Sequence, residues 1–229
     1  MTTTALIVGA GSGLSASLAR LFAKEGYSVA IAARQIDKLS TLSQEIGAVS
    51  FAANAAKPDD VNRLFNDVEE KIGAPTVVVY NPSWRVRGAF IELNPADVAK
   101  TLEITAYGGF LVAQAAAKRQ LVLGGGAIFF TGASASIKGY PQSAPFAMGK
   151  FALRGLAQSI ARELAPKNIH VAHFVIDGAI RSDTRVEPAD KLDSYLDPDA
   201  IAQTYLNILR QPRSAWTWEI ELRPWVETF

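Results

Sequence analysis

The sequence has no cysteine and only two histidines in 229 residues. The first absence excludes disulfides, thiolate nucleophiles and cysteine-ligated metals. His170 and His173 stand three apart on a strand-like run, an interval that turns side chains to opposite faces, so they do not read as ligands of one metal. No run of about 18 apolar residues occurs, and no membrane span is predicted. Neither sign of charge is in excess: 23 basic against 22 acidic residues leave a formal +1, which gives no general attraction to nucleic acid or to acidic membranes. Internal repeats, low-complexity segments and linkers rich in proline or serine are missing as well. The opening Met1-Thr2-Thr3-Thr4 lacks the basic segment and apolar stretch of a secretory signal, which sets the expectation of a cytoplasmic protein. What is present is 49% hydrophobic residues spread along a chain long enough for one α/β domain over residues 1–229. The expected partner is a small molecule.

The order of elements follows from periodicity. Thr4 to Val8 is β-prone; Gly9-Ala10-Gly11-Ser12-Gly13 follows, and then Leu14, Leu18, Leu21 and Phe22 recur at helical spacing. Val29 to Ala32 suits a strand buried on both faces, with a helical pattern from Ile36 to Ile46 behind it. Val49 to Ala53 and Thr76 to Tyr80 are further strands, flanking a helix whose Pro58 sits near its first turn. A long helix from about Pro95 to Gln120 leads through Gly124-Gly125-Gly126, read as a flexible connection, to a strand at Ala127 to Phe130. A helix from about Ser143 to Ala165 and a strand from Ile169 to Ile176 come next, then a polar loop from Arg181 to Pro198. Trp216, Trp218, Ile220 and Leu222 alternate with polar residues and predict one more strand. Alternating buried strands and helices give a doubly wound, Rossmann-type α/β domain with a parallel sheet, since each parallel crossover must pass over a face of the sheet.

The glycine turn occupies the first strand-to-helix junction, where backbone N–H groups and the positive helix end suit a pyrophosphate; a tight turn without a ligand is the alternative reading. Its pattern resembles the GxxxGxG turn of the short-chain dehydrogenase/reductase family, with Gly9 and Gly13 as the first two glycines and Ser15 replacing the third. The resemblance implies dinucleotide contacts from Gly9, Ser12, Gly13 and Leu14. At the end of the second strand Ala33-Arg34 stands where an acidic residue would accept bonds from a ribose 2′-hydroxyl. A guanidinium suits a 2′-phosphate, so the resemblance implies NADP(H), unless Arg34 is a solvated surface residue. Asn54-Ala55 takes the place of the family's Asp-Val against adenine, and Tyr80-Asn81-Pro82-Ser83 falls where the family has Asn-Asn-Ala-Gly. Lys150 is implied to hold the nicotinamide ribose, and Asp177-Gly178-Ala179-Ile180 resembles the Pro-Gly turn at the nicotinamide end.

The catalytic pattern departs from the family's Asn, Ser, Tyr and Lys. In Phe146-Ala147-Met148-Gly149-Lys150 the lysine is present but phenylalanine fills the tyrosine position, and a benzene ring has no proton to give. Ala133 stands at the serine position with Ser134 and Ser136 close behind, and Thr105 stands for the asparagine. A positioned general acid is worth a factor of about 10² to 10⁴, so ordinary ketone reduction is expected to be slow. Ser134 is the candidate surrogate donor, against a loop serine bonded to its own backbone; Tyr80, Tyr107 and Tyr140 are weaker candidates. Asp177 reads as a turn residue or as a carboxylate beside the reactive ring. Asp59-Asp60 and Glu69-Glu70 read as solvated charges, and the C-terminal tryptophans as core packing, a subunit contact or a pocket wall.

The leading expectation is an NADP(H)-dependent oxidoreductase acting on a small carbonyl, imine or activated alkene. The alternatives are a catalytically silent NADP(H)-binding sensor or scaffold, and a lyase-type or dehalogenase-type use of the same pocket. The resemblance also implies a homodimer or homotetramer built on the two long helices.

Overall fold

The computed structural model describes residues 3–182 and 185–227; Met1, Thr2 and positions 183–184 of the expected polar loop lie outside the described residues. Seven strands form one parallel sheet in the order β3-β2-β1-β4-β5-β6-β7: β1 is Thr4–Val8, β2 Ser28–Ala33, β3 Val49–Ala52, β4 Pro75–Tyr80, β5 Gly126–Thr131, β6 Ile169–Ile176 and β7 Glu219–Leu222. The reversal of strand order beside β1 opens a crevice at the carboxyl ends of β1 and β4, the place where such sheets bind ligands.

Each strand alternates its buried side chains between two cores. Ile7, Ile31, Val79, Phe129 and Phe174 face α1 (Leu14–Lys24), α2 (Ser40–Ile46) and α7 (Pro198–Leu209). Leu6, Ala30, Val78, Ile128 and Val171 face α3 (Pro58–Ile72), α5 (Gly108–Leu123) and α6 (Ala144–Leu164). Apolar layers on both faces explain why the strands read as continuous hydrophobic runs. Among the described residues no helix is long and apolar enough to cross a membrane.

Three expectations need correction. The helix expected over 95–120 is two α-helices, α4 (Pro95–Leu102) and α5, joined by a π-helical turn at Glu103–Tyr107. The cause lies across the core, where the buried Tyr80 hydroxyl donates to the Ile104 carbonyl at 2.5 Å and draws it out of the ordinary helical ladder. Gly124-Gly125-Gly126 is a packed helix stop and not a flexible connection: Gly124 ends α5 in the left-handed region, its carbonyl accepts from Asn168 Nδ2 at 2.8 Å, and Gly126 N–H donates to the Asn168 carbonyl. The polar loop ends in α7, a helix that was not foreseen, capped by Asp197 with Pro198 in its first turn.

Candidate functional site

The crevice is a cleft of about 950 Å³ lined by the glycine turn, the ends of β2, β3 and β4, and Ile104. Gly9 has φ +83°, and a Cβ there would fall 2.6 Å from Pro82 N, so backbone conformation and space both require glycine. The first turn of α1 is capped by Gly13 with no side-chain hydrogen bond, and the turn that leads into it, Gly9 to Ser12, lines the cleft. Ser15, in the third-glycine position, is buried and links two elements: its hydroxyl donates to the Gly9 carbonyl at 3.1 Å and accepts from Asn81 Nδ2 at 2.7 Å. Asn81 is therefore spent on holding the turn, and its N–H on the Val8 carbonyl.

Arg34 lines the cleft at the end of β2, and Lys38 lines it beside Arg34. Sequence reasoning passed over Lys38, which follows β2 in the short turn Asp37–Leu39. No carboxylate pairs with either cation among the described residues. Asn54 also lines the cleft, but its side chain closes a turn by accepting from Ala56 N–H at 3.1 Å, while its own N–H donates to Asp60 Oδ2 at 2.8 Å. Asp60 is thereby a structural carboxylate, held below its usual range by the Asn54 N–H and then by Arg63. Gly9, Ser12, Arg34, Asn54, Ala55 and Asn81 thus meet around one cleft, whereas Gly13, Leu14, Ser134, Lys150, Gly178 and Ile180 do not line it.

Lys150 is buried under the end of β5 and donates to the Thr131 carbonyl at 2.7 Å, with no carboxylate paired to it among the described residues. Burial alone pulls its pKa down to about 8. Its nitrogen lies 5.8 Å from the centre of the half-buried Phe146 ring. Thr105 is buried against α6, where a Cβ on Gly149 would meet Thr105 Cβ at 2.9 Å, and its hydroxyl accepts from Trp84 N–H at 3.4 Å.

Of the candidate proton donors, Tyr80 is fully buried, committed to Ile104, and raised by burial, which removes it from proton transfer. Tyr107 and Tyr140 are exposed. Ser134 is half-buried at the start of the short turn Ser134–Ser136, and the neighbouring Ser136 hydroxyl accepts from Ala133 N–H at 3.1 Å. Asp177 is buried and tied to Lys138 Nζ at 3.2 Å, with Arg223 at 3.8 Å, so its carboxylate is neutralised at the start of the turn after β6. The next residue, Gly178, lies at φ +151°, where a Cβ would meet Pro224 at 2.7 Å.

The two histidines are structural. His170 stacks on Trp216 with centroids 4.6 Å apart, which assigns that tryptophan to packing. His173 is fully buried, bonded through Nδ1 to Glu219 at 3.0 Å, and lowered to about 4, chiefly by burial. Burial pushes the Glu219 carboxyl up, but two bonds of 2.7 Å from Arg154, with the charge of that guanidinium and the His173 contact, together hold it below its usual range.

A family model described as short chain dehydrogenase matches residues 3–192, and the chain belongs to that family. Among its relatives, the 3-oxoacyl-[acyl-carrier-protein] reductase FabG of Staphylococcus aureus is 31% identical over 202 residues, 86% of this chain and 82% of that protein. The crystal structure of a short-chain dehydrogenase from Rhodopseudomonas palustris superposes with a TM-score of 0.84 at 36% identity, covering 97% of this chain and 99% of that one. An alcohol dehydrogenase from Thermococcus sibiricus, solved with 5-hydroxy-NADP, superposes with a TM-score of 0.86 over 100% of this chain and 99% of that one; at 24% identity this likeness speaks for the fold alone.

Proposed function

We propose that the protein is an NADP(H)-dependent oxidoreductase that moves hydride to or from a small carbonyl, imine or activated alkene. The observation that carries the cofactor choice is the pair Arg34 and Lys38 on the wall of the same cleft as the Gly9 turn. Two cations and the glycine turn that leads into α1 suit a dinucleotide bearing a third phosphate. The dinucleotide supplies the hydride; this chain orients it, and Gly9 and Ser15 hold the turn against Pro82 and Asn81. Lys150, at a pKa of about 8 and beneath Phe146, serves as a fixed donor near the reacting end. Alkene or imine substrates fit a site in which Phe146 gives no proton. The apolar side chains that the π-helical turn, α5 and α6 expose, Tyr107, Phe110, Met148 and Phe151, support a homodimer or homotetramer.

A second reading, a catalytically silent NADP(H) sensor or scaffold, is favoured by one observation: the Lys150 ammonium is engaged with the Thr131 carbonyl. Fluorescence titration with NADPH and NADH comes first, followed by a carbonyl and enone panel. NADPH preference that disappears in Arg34→Ala supports the cofactor assignment; equal losses for both cofactors refute it. NADPH binding with no turnover across the panel favours the silent reading.

A further inference from the structure

We propose that Arg85, seated on the Phe146 ring, is a recognition site for a substrate carboxylate, so that the substrate class is a small carbonyl or activated alkene carrying a carboxylate group. The reacting group in that statement rests on the oxidoreductase reading above; the anion site does not. The segment after β4 is tied toward α6 by Gly88 N–H, which donates to the Gln142 carbonyl at 3.2 Å. This segment sets the Arg85 guanidinium carbon 5.1 Å from the centre of the Phe146 ring. An arginine thus stands at the ring that occupies the family's tyrosine position.

Arg85 is exposed and has no hydrogen bond or ion pair among the described residues, whereas Arg20, Arg119, Arg154, Arg181 and Arg210 each hold a carboxylate. The other cation near the ring, Lys150, is already spent on Thr131. Arg85 does not line the cleft that holds Arg34 and Lys38. Beside it in the chain, the Trp84 indole N–H is buried without an acceptor, and the ring carries Lys100 Nζ at 4.3 Å and Arg34 Cζ at 5.9 Å. Positive charge therefore gathers along this segment, with Arg85 the member that reaches Phe146. A guanidinium cannot release its proton at ordinary pH, so Arg85 recognises charge and does not replace the missing acid. Its planar fork matches a carboxylate with two parallel bonds, and the aromatic wall beneath it removes competing water from one side.

The test uses the full chain with 4-fluorobenzoate as the anionic probe and 4-fluorobenzamide as its neutral match, each titrated by fluorine NMR. The wild type is expected to bind the benzoate and not the benzamide. Arg85→Met should weaken benzoate binding about tenfold or more, and Arg85→Lys by less, since a point charge keeps attraction but loses the fork. Because Arg85 is exposed, melting temperature and NADPH affinity should not change in either variant. Equal benzoate binding by wild type and Arg85→Met, equal binding of benzamide, or no benzoate binding by the wild type each overturns the proposal. A parallel loss of NADPH affinity in Arg85→Met overturns it too, by assigning the arginine to the cofactor. Benzoate binding without NADPH binding would keep the anion site and end the oxidoreductase reading; NADPH binding without a benzoate site would do the reverse.

Discussion

Lys150 brings stability and function into conflict, and replacing it with methionine measures both. The ammonium is buried with the Thr131 carbonyl as its acceptor, and desolvation lowers its pKa from an ordinary 10.5 to about 8. The unfolded chain therefore binds more protons than the native one between pH 8 and 10.5, and stability must rise with pH through that window. Below pH 8 the native state bears the full penalty, about 3 kcal/mol; by pH 9.5 roughly 2 kcal/mol of it has been recovered. Lys150→Met removes this dependence. At pH 7 the variant gains the penalty back but leaves the Thr131 carbonyl without its donor, a cost of about 1–3 kcal/mol, so its net stability lies between unchanged and about 2 kcal/mol higher. Urea unfolding of both proteins at pH 7 and pH 9.5, with NADPH titrations alongside, reads the difference. Wild type should gain about 2 kcal/mol over the variant between the two pH values, while the variant binds NADPH more weakly. Parallel pH profiles would refute the burial argument, and undiminished NADPH affinity would refute a cofactor role for Lys150.

Further expectations follow from other sites. His173, lowered to about 4 by burial, contributes stability that is complete above pH 6.5 and is lost as pH falls through 4; urea unfolding at pH 7.5 and 5 should show about 2 kcal/mol more acid loss in wild type than in His173→Gln. Gly9→Ala should cost about 2–4 kcal/mol in thermal or urea unfolding and abolish NADPH binding, because it meets both a left-handed backbone and the Pro82 ring. Ser15→Gly cuts the link between the glycine turn and Asn81; about 1–2 kcal/mol of stability should go, with weaker NADPH binding, and an unchanged melting curve would show the link to be idle. Phe146→Tyr with Ala133→Ser restores the family's proton donor and should raise NADPH oxidation with simple ketones; no gain would mean that the substrate pocket, not the donor, limits turnover.

Much of the framework was legible because hydrophobic runs punctuated by glycine and proline are local signals. The first and sixth strands were bounded as they stand, and the glycine turn, Arg34, Asn54 and Asn81 converge on one cleft. α7 was within reach: Asp197 and Pro198 form a helix start, and Ile201, Ala202, Tyr205, Leu206 and Ile208 keep helical spacing. The polar loop before it masked that pattern. The π-helical turn was not readable, since its cause, Tyr80, lies more than twenty residues away in the chain. Nor did spacing reveal that Lys150 is buried, because its acceptor, the Thr131 carbonyl, comes from β5, a separate segment of the chain. The Arg85 and Phe146 contact is of the same tertiary kind.

The parallel pairing of β7 on β6 also bears on synthesis at the ribosome. β6 is eight residues long and buried throughout, yet its outer edge is satisfied only by β7 and the residue before it: His173 N–H donates to the Trp218 carbonyl and Asp177 N–H to the Leu222 carbonyl. Until residue 222 has emerged, the nascent sheet presents an unpaired apolar edge, with the His173 ring and Arg154 still waiting for Glu219. Chains stalled before that point are the ones exposed to strand-to-strand association with their neighbours.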